Sequence, residues 1–155
     1  MRLKQYKITD LNIIEDILSK SEVCRIAMID NDRPYIIPLN YGYKNNTIYF
    51  HSSKLGKKIE LLKINNKVCF ELELSSQIVK NENPCDWSTR YRSIIGYGTI
   101  EFITDIDQKR EGLDIIMAHY GKIDKNSYRD KSIEKVLILE LNIEEITGKQ
   151  LGDWD

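Results

Sequence analysis

"PYIIPLNYGYKNNTIYFHSSKLGKKIELL", residues 34–62, decides the fold. Tyr35, Ile37, Leu39, Tyr41 and Tyr43 alternate along its first half, which is the period of a strand with one buried face. Asn45-Asn46 is a hairpin signal, because asparagine tolerates positive φ. "TIYFHS" reads as the returning strand. A lysine-rich helix is predicted over about residues 55–64, with Leu55, Ile59 and Leu62 on its buried face. A hairpin feeding a short helix belongs to an antiparallel fold and not to the alternating units of a parallel sheet.

The rest of the chain extends that reading. Upstream, "TDLNIIEDILSKS" predicts a short helix capped by Thr9 or Asp10, with Leu11, Ile14 and Leu18 on one face. "VCRIAMID" reads as a strand and "NDR" as a turn. Downstream, "KVCFELEL" is a strand and "SSQIVKNENPCDWST" a long polar loop of the kind that often carries function. "YRSIIGYGTIEFI" is a long strand in which Gly96 and Gly98 predict a bulge or the close approach of another group. "DIDQKREGLDIIMAHY" reads as a helix with Leu113, Ile116, Met117 and Tyr120 on its face. "GKIDKNSYRDKS" is a loop, and "VLILELNIEEITGK" the last strand. About six strands and three helices make a mainly β domain, an antiparallel barrel with peripheral helices. Neither GxGxxG nor GxxxxGK[ST] occurs, so no Rossmann fingerprint or P-loop is present.

The chain has 155 residues, 41% of them hydrophobic and 30% charged. Those proportions fit one globular domain spanning 1–155. A net charge of −1 gives no general attraction to nucleic acid or to an anionic membrane. The apolar runs are far shorter than the roughly 20 residues that span a bilayer. "MRLKQYKITD" has a basic start but no apolar segment behind it, so no secretory signal is expected. Three cysteines, Cys24, Cys69 and Cys85, show no CxxC spacing. The odd count points to reduced thiols and a cytoplasmic location. Cys24 and Cys69 sit in apolar runs and are expected to pack in the core. Beside them stand only His51 and His119, so no metal site is expected.

The lysine-rich helix opens with a conflict. A helix N-terminus carries partial positive charge, yet Lys54, Lys57 and Lys58 crowd it, with no acid before Glu60. A bound phosphate would resolve this, held by the free N–H groups and by Ser52, Ser53, Lys57 and Lys58. The alternative is a set of solvated lysines with Ser53 as a plain cap. His51, at the strand end, is either an edge residue or a group able to meet a ligand. Asp86 and Trp87 either close over a flat ligand or cap the core. Arg92 either opens a site or pairs with one of the many acids.

Several segments in order, "CRIAMIDNDRPYIIPLNYGYKNNTIYFHSSKLGKKIELLKINNKVCF" and "PCDWSTRYRSIIGYGTIEFI", resemble the pyridoxamine 5′-phosphate oxidase-like flavoproteins. Within them the resemblance is closest to the nitroimidazole-resistance (Nim) branch. It covers about residues 22–149. It implies a six-stranded antiparallel split β-barrel, a homodimer, and FMN at the subunit interface. His51, Ser52, Lys57 and Lys58 match the positions that hold the FMN phosphate. Pro38, Leu39, Asn40 and Tyr41 match the strand whose backbone meets the isoalloxazine. Ser93 matches a polar residue that contacts flavin. His51 also matches the Nim histidine near the flavin and the nitro-drug site, which makes it the candidate catalytic residue.

The chain departs from the oxidases proper in two places. Lys57 stands where they have arginine, which gives up the bidentate fork. Their Arg- and Trp-rich C-terminal segment is not evident, which argues against vitamin B6 oxidation. The resemblance therefore implies an FMN-dependent oxidoreductase of nitroreductase type acting on a small molecule. The alternatives are a non-catalytic, stress-related flavin binder, or a haem-binding split barrel with His51 or His119 as axial ligand.

Overall fold

The computed structural model describes residues 6–124 and 126–154, with backbone alone for Ser75 and Ser76. Residues 1–5, on which the reading of the N-terminus partly rests, lie outside the described residues. The elements run β1 (Lys7–Ile8), α1 (Leu11–Lys20), β2 (Cys24–Asp30), β3 (Arg33–Leu39), β4 (Gly42–Lys44), β5 (Thr47–Ser53) and α2 (Lys57–Ile64). There follow β6 (Lys67–Val79), β7 (Ser88–Ile103), α3 (Ile106–His119), α4 (Asp130–Lys135) and β8 (Val136–Leu151).

The strands form one 8-stranded sheet ordered β3-β2-β6-β7-β8-β5-β4, with β1 on β8. Every recorded pairing is antiparallel. No pairing joins β3 to β4 among the described residues, so the barrel is split and not closed. The inner face carries Ile26, Met28, Ile48, Phe50, Phe70, Leu72, Ile94, Leu139 and Leu141, all buried in one core cluster. The mainly β, split-barrel expectation holds. The strand count rises from six to eight because residues 34–44 break after Leu39 into β3 and β4, and because β1 adds two residues.

Local chemistry explains the other differences. Asn45 and Asn46 take φ of 50° and 60°, the positive values that the tight turn between β4 and β5 requires. Asp10 caps α1 through Asn12 N, as expected. Leu11, in contrast, is 74% exposed, and Ile17 takes its place in the buried set with Ile14 and Leu18. Side chains of a first helical turn lean back past the N-terminus, away from the core. About half of the expected polar loop at residues 75–89 is strand, because β6 and β7 continue as a ribbon in which Gln77–Val79 pair with Arg90–Ser88. Only residues 80–87 connect them, through a 3₁₀ turn at Pro84–Asp86.

α4 lies partly in the expected loop after residue 120. Its single buried residue, Ile133, leaves no helical period to read. The Gly96–Gly98 reading holds in both of its forms. The β7–β8 register shifts between Tyr97 and Gly98, and a Cβ on Gly96 would lie 2.2 Å from Phe70 Cζ. Cys24 is buried; Cys69 is half-buried, because its position in β6 faces outward.

Candidate functional site

β5 alternates Ile48, Phe50 and Ser52 inward with Tyr49, His51 and Ser53 outward. His51 and Ser52 therefore project from opposite faces. His51 is exposed. Ser52 is 5% exposed, and its hydroxyl donates to the Ser53 carbonyl at 2.9 Å. Ser53 Oγ accepts from Leu55 N at 3.1 Å and shapes the turn out of the strand. The turn ends at Gly56, the N-cap of α2, where φ is +118°. Leu55 thus precedes the helix and is 80% exposed, not on its buried face; Ile59, Leu61 and Leu62 anchor α2 instead.

The N-terminus of α2 has no side-chain cap. The Gly56 carbonyl accepts from Ile59 N at 2.9 Å and Glu60 N at 3.2 Å. Among the described residues, no hydrogen bond occupies the N–H groups of Lys57 and Lys58. These are the free donors that a phosphate takes at a helix start. Lys57 Nζ is 2.5 Å from Asp30 Oδ2 at the end of β2 and lies 4.8 Å from the centre of the Tyr35 ring in β3. The hydrogen bond to Asp30 raises the Lys57 pKa; desolvation opposes it, and the Asp30 charge adds to the rise. α2 therefore links the far edge of the split barrel to β5. Lys58 is half-buried and has no ion-pair partner among the described residues.

A fourth lysine near this loop escaped the sequence reading. Lys109 of α3 is 3% exposed, and its Nζ donates to the Ile133 carbonyl at 3.3 Å. Ser53 pairs with Val136, three residues beyond Ile133, which sets Lys109 at the end of β5. Burial lowers its pKa first and the nearby Lys54 charge second, while Glu134 opposes. Lys109 stands in the first turns of α3, ahead of Gly112 and Ile116 on the buried face, and no local pattern marked it for burial.

The stretch from Pro38 to Tyr41 divides. Pro38 is exposed and Leu39 half-buried at the end of β3. Asn40 Nδ2 donates to the Tyr120 hydroxyl at 3.1 Å, and Tyr41 N donates to the same oxygen at 3.1 Å. Tyr120 in turn donates to the Glu22 carbonyl at 2.6 Å. The Tyr41 side chain is fully buried; its hydroxyl donates to Leu18 O at 2.6 Å, and burial pushes its pKa far above the usual phenol value. His119 stacks 4.3 Å from the Tyr41 ring, and its Nε2 donates to Ser21 O at 2.7 Å. A carbonyl only accepts, so that nitrogen carries the proton.

Ser93 is half-buried on the outer face of β7, opposite Glu73 of β6 and Lys149 of β8. The same face carries an apolar row across four strands, Ile36–Ala27–Cys69–Tyr97, read from the pairings. A cavity of about 330 Å³ lies there, lined by Ala27, Ile29, Pro34, Cys69 and Tyr97 among others. The structure thus joins Lys57 to Asp30 and Tyr35 and joins Asn40 to Tyr41 through Tyr120. It separates His51 from Ser52 and sets Ser93 on the outer sheet face. No group of three or more His, Cys, Asp and Glu residues suited to a metal occurs among the described residues. No helix there is long and apolar enough to cross a membrane.

Residues 10–150 match the family described as pyridoxamine 5′-phosphate oxidase. A candidate 5-nitroimidazole antibiotic resistance protein from Bacteroides thetaiotaomicron VPI-5482 is 39% identical, with a TM-score of 0.83 over 92% of this chain and 85% of that one. A FAD and heme binding protein from Mycobacterium smegmatis shares the fold at 21% identity, with a TM-score of 0.85 over 96% of this chain and 75% of that one. An uncharacterized protein of Rhizobium meliloti (strain 1021) is 29% identical over 58 residues, which span 37% of this chain and 38% of that protein.

Proposed function

This chain belongs to the pyridoxamine 5′-phosphate oxidase family, and from that premise we propose that it is an FMN-dependent oxidoreductase, working as a homodimer on a small, nitro-bearing molecule. The observation that carries this reading is the uncapped start of α2. Two open N–H groups stand there beside the side chains of Lys57 and Lys58. That donor set fits a phosphate monoester. When bound, the flavin supplies the electron-transfer chemistry.

The chain's own groups bind and orient. Lys57 exchanges its contact with Asp30 for the phosphate, and Lys58 adds a second charge. The exposed backbone at Pro38 and Leu39 lies along the isoalloxazine. His51, free on the outer face of β5, orients the substrate or hands it a proton. The apolar row from Ile36 to Tyr97 is the surface that a second copy covers. The 39% identical relative named for nitroimidazole resistance supports the nitro-bearing substrate.

A visible spectrum of the purified protein comes first, followed by titration of the apo-protein with FMN and with riboflavin. Losing a hydrogen bond to a charged group weakens binding by roughly ten- to a hundredfold. Lys57→Ala and Lys58→Ala are each expected to lose that much for FMN and almost nothing for riboflavin, which has no phosphate. Equal losses for both ligands would remove the phosphate assignment, and a haem spectrum would replace the flavin. His51→Ala should keep FMN and lose nitro reduction.

A further inference from the structure

The chain past β8 folds back onto β7. β8 ends at Leu151, which pairs with Tyr91. Gly152 then turns with φ of +87°, so close to β7 that a Cβ on it would lie 3.0 Å from Arg90 Cβ and Cγ. The turn brings back Trp154, whose indole Nε1 donates to Leu151 O at 3.1 Å. The centre of the Trp154 ring lies 4.4 Å from the guanidinium carbon of Arg90 and 4.4 Å from that of Arg92. One ring thus holds two cations, and stacking on it restrains both planar forks.

Two positive charges gathered on one ring repel each other unless an anion answers them. Among the described residues, no acid forms an ion pair with either arginine. Strand pairing shows why. Arg90 and Arg92 share a face of β7 with Ile94, and the residues opposite them on the flanking strands are Gln77, Leu74 and Gln150. Those are the cross-strand positions from which an acid would pair with an arginine. Glu73 pairs with Ser93 and so faces the other side.

The hydrogen bonding is incomplete as well. Arg92 Nε donates to Gln150 Oε1 at 3.0 Å, which leaves the Gln150 amide nitrogen as a spare donor. Arg90 Nε is shielded from solvent and has no partner among the described residues. The result is a doubly positive spot, rich in donors and poor in acceptors.

We infer that Arg90, Arg92 and Gln150 form a site for a phosphate group, with Trp154 as its rigid backing. Phosphate is the matching anion. Its double charge equals that of the two arginines, and its three terminal oxygens can meet two forks and an amide. The site is distinct from the start of α2 and does not rest on the flavin reading. Arg92 pairs with Leu74, just past the Cys24–Leu72 pair at the start of β2, whereas Lys57 is held by Asp30 at the other end of β2. The length of β2, roughly 20 Å, separates the two.

A phosphate titration followed by the indole N–H resonances tests the site. The chain has two tryptophans, Trp87 and Trp154, and Trp87→Phe assigns their signals. Inorganic phosphate, added to the wild type at constant ionic strength, should shift the Trp154 signal to saturation and leave Trp87 unmoved. Arg90→Gln and Arg92→Gln should each weaken that binding by roughly tenfold or more. Arg92→Lys, which keeps the charge and loses the fork, should fall between them and the wild type. Lys57→Ala and Lys58→Ala should leave the Trp154 titration unchanged. Tighter binding of methyl phosphate would identify the ligand as a phosphorylated organic molecule, and weaker binding as free phosphate. An unmoved Trp154 signal would overturn the inference, as would wild-type affinity in both Arg→Gln variants. Acetate binding as tightly as phosphate would overturn it too, and so would a loss in the lysine variants, which would place the phosphate at α2.

Discussion

Lys57 Nζ and Asp30 Oδ2 lie 2.5 Å apart, which ties the start of α2 to the end of β2. The contact answers the crowding of lysines with an acid from another strand, and it sets a carboxylate against any phosphate that binds there. Asp30→Asn should therefore raise FMN affinity, by about two- to fivefold given the small effect of exposed charge pairs. Riboflavin affinity should not change. The check is a titration of apo-protein at low ionic strength. An unchanged FMN affinity would show that the phosphate does not approach Lys57.

That carboxylate was not legible from residues 34–62 alone. The alternation of Tyr35 through Tyr43 and the Asn45-Asn46 turn follow from backbone geometry, which local sequence specifies. Asp30 reaches Lys57 only through the curl of the sheet, a relation between distant segments. The same limit applies to Lys109, whose burial depends on α4. It applies also to the β6–β7 ribbon of Gln77–Val79 with Ser88–Arg90, whose polar sequence looks like a loop. The lysines and serines at the β5–α2 turn were legible because their conflict with the helix dipole is local. The opposite directions of His51 and Ser52 were equally local, since strand alternation alone dictates them.

Tyr120 uses all its hydrogen-bonding capacity at one hydroxyl, donating to Glu22 O and accepting from Tyr41 N and Asn40 Nδ2. Asn40 Nδ2 also reaches Glu22 O at 3.4 Å, so Tyr120→Phe takes the partner chiefly from the part-buried Tyr41 N, at a cost of about 0.5–1.5 kcal/mol. Urea unfolding should show that loss with an unchanged slope. A variant as stable as the wild type would mean that water replaces the hydroxyl without loss.

Ile36 is 60% exposed, at the edge of the apolar row. Ile36→Glu should leave the fold intact, because the residue contributes little to the monomer's core. If the apolar row is the contact of the proposed homodimer, a charge at Ile36 should weaken it and shift the mass seen by sedimentation equilibrium towards the monomer. A dimer that survives Ile36→Glu would move the interface to another face.

Tyr43 and Tyr49 resist ionisation. Burial comes first for both, followed by Glu15 for Tyr43 and Glu140 for Tyr49, and each pKa rises from 10.0 to about 12. A folded-state value above the unfolded one means that the neutral phenol favours the fold. This contribution is complete below about pH 10 and is lost as pH climbs towards 12. Phenolate absorbance and circular dichroism, followed together, should show part of the tyrosines titrating only as the fold is lost. Complete titration of every tyrosine near pH 10, with the fold retained, would contradict this.

Gly56 has φ of +118° and ψ of 166°, a region open essentially to glycine alone. A Cβ built on it meets nothing within 4 Å, so Gly56→Ala introduces strain without a clash. Strain of this kind costs about 1–3 kcal/mol. In a chain of this size each kcal/mol lowers the melting temperature by about 2–4 °C. Ile59, Leu61 and Leu62 hold the rest of α2 in the core, so the strain is relieved where the helix is free, in its first turn. Fraying there misdirects the N–H groups of Lys57 and Lys58 while leaving both lysine charges in place. Gly56→Ala should therefore melt several degrees lower and lose FMN affinity, with riboflavin affinity hardly changed. A lower melting temperature with full FMN affinity would assign phosphate binding to the lysine side chains alone and take the helix start out of the site.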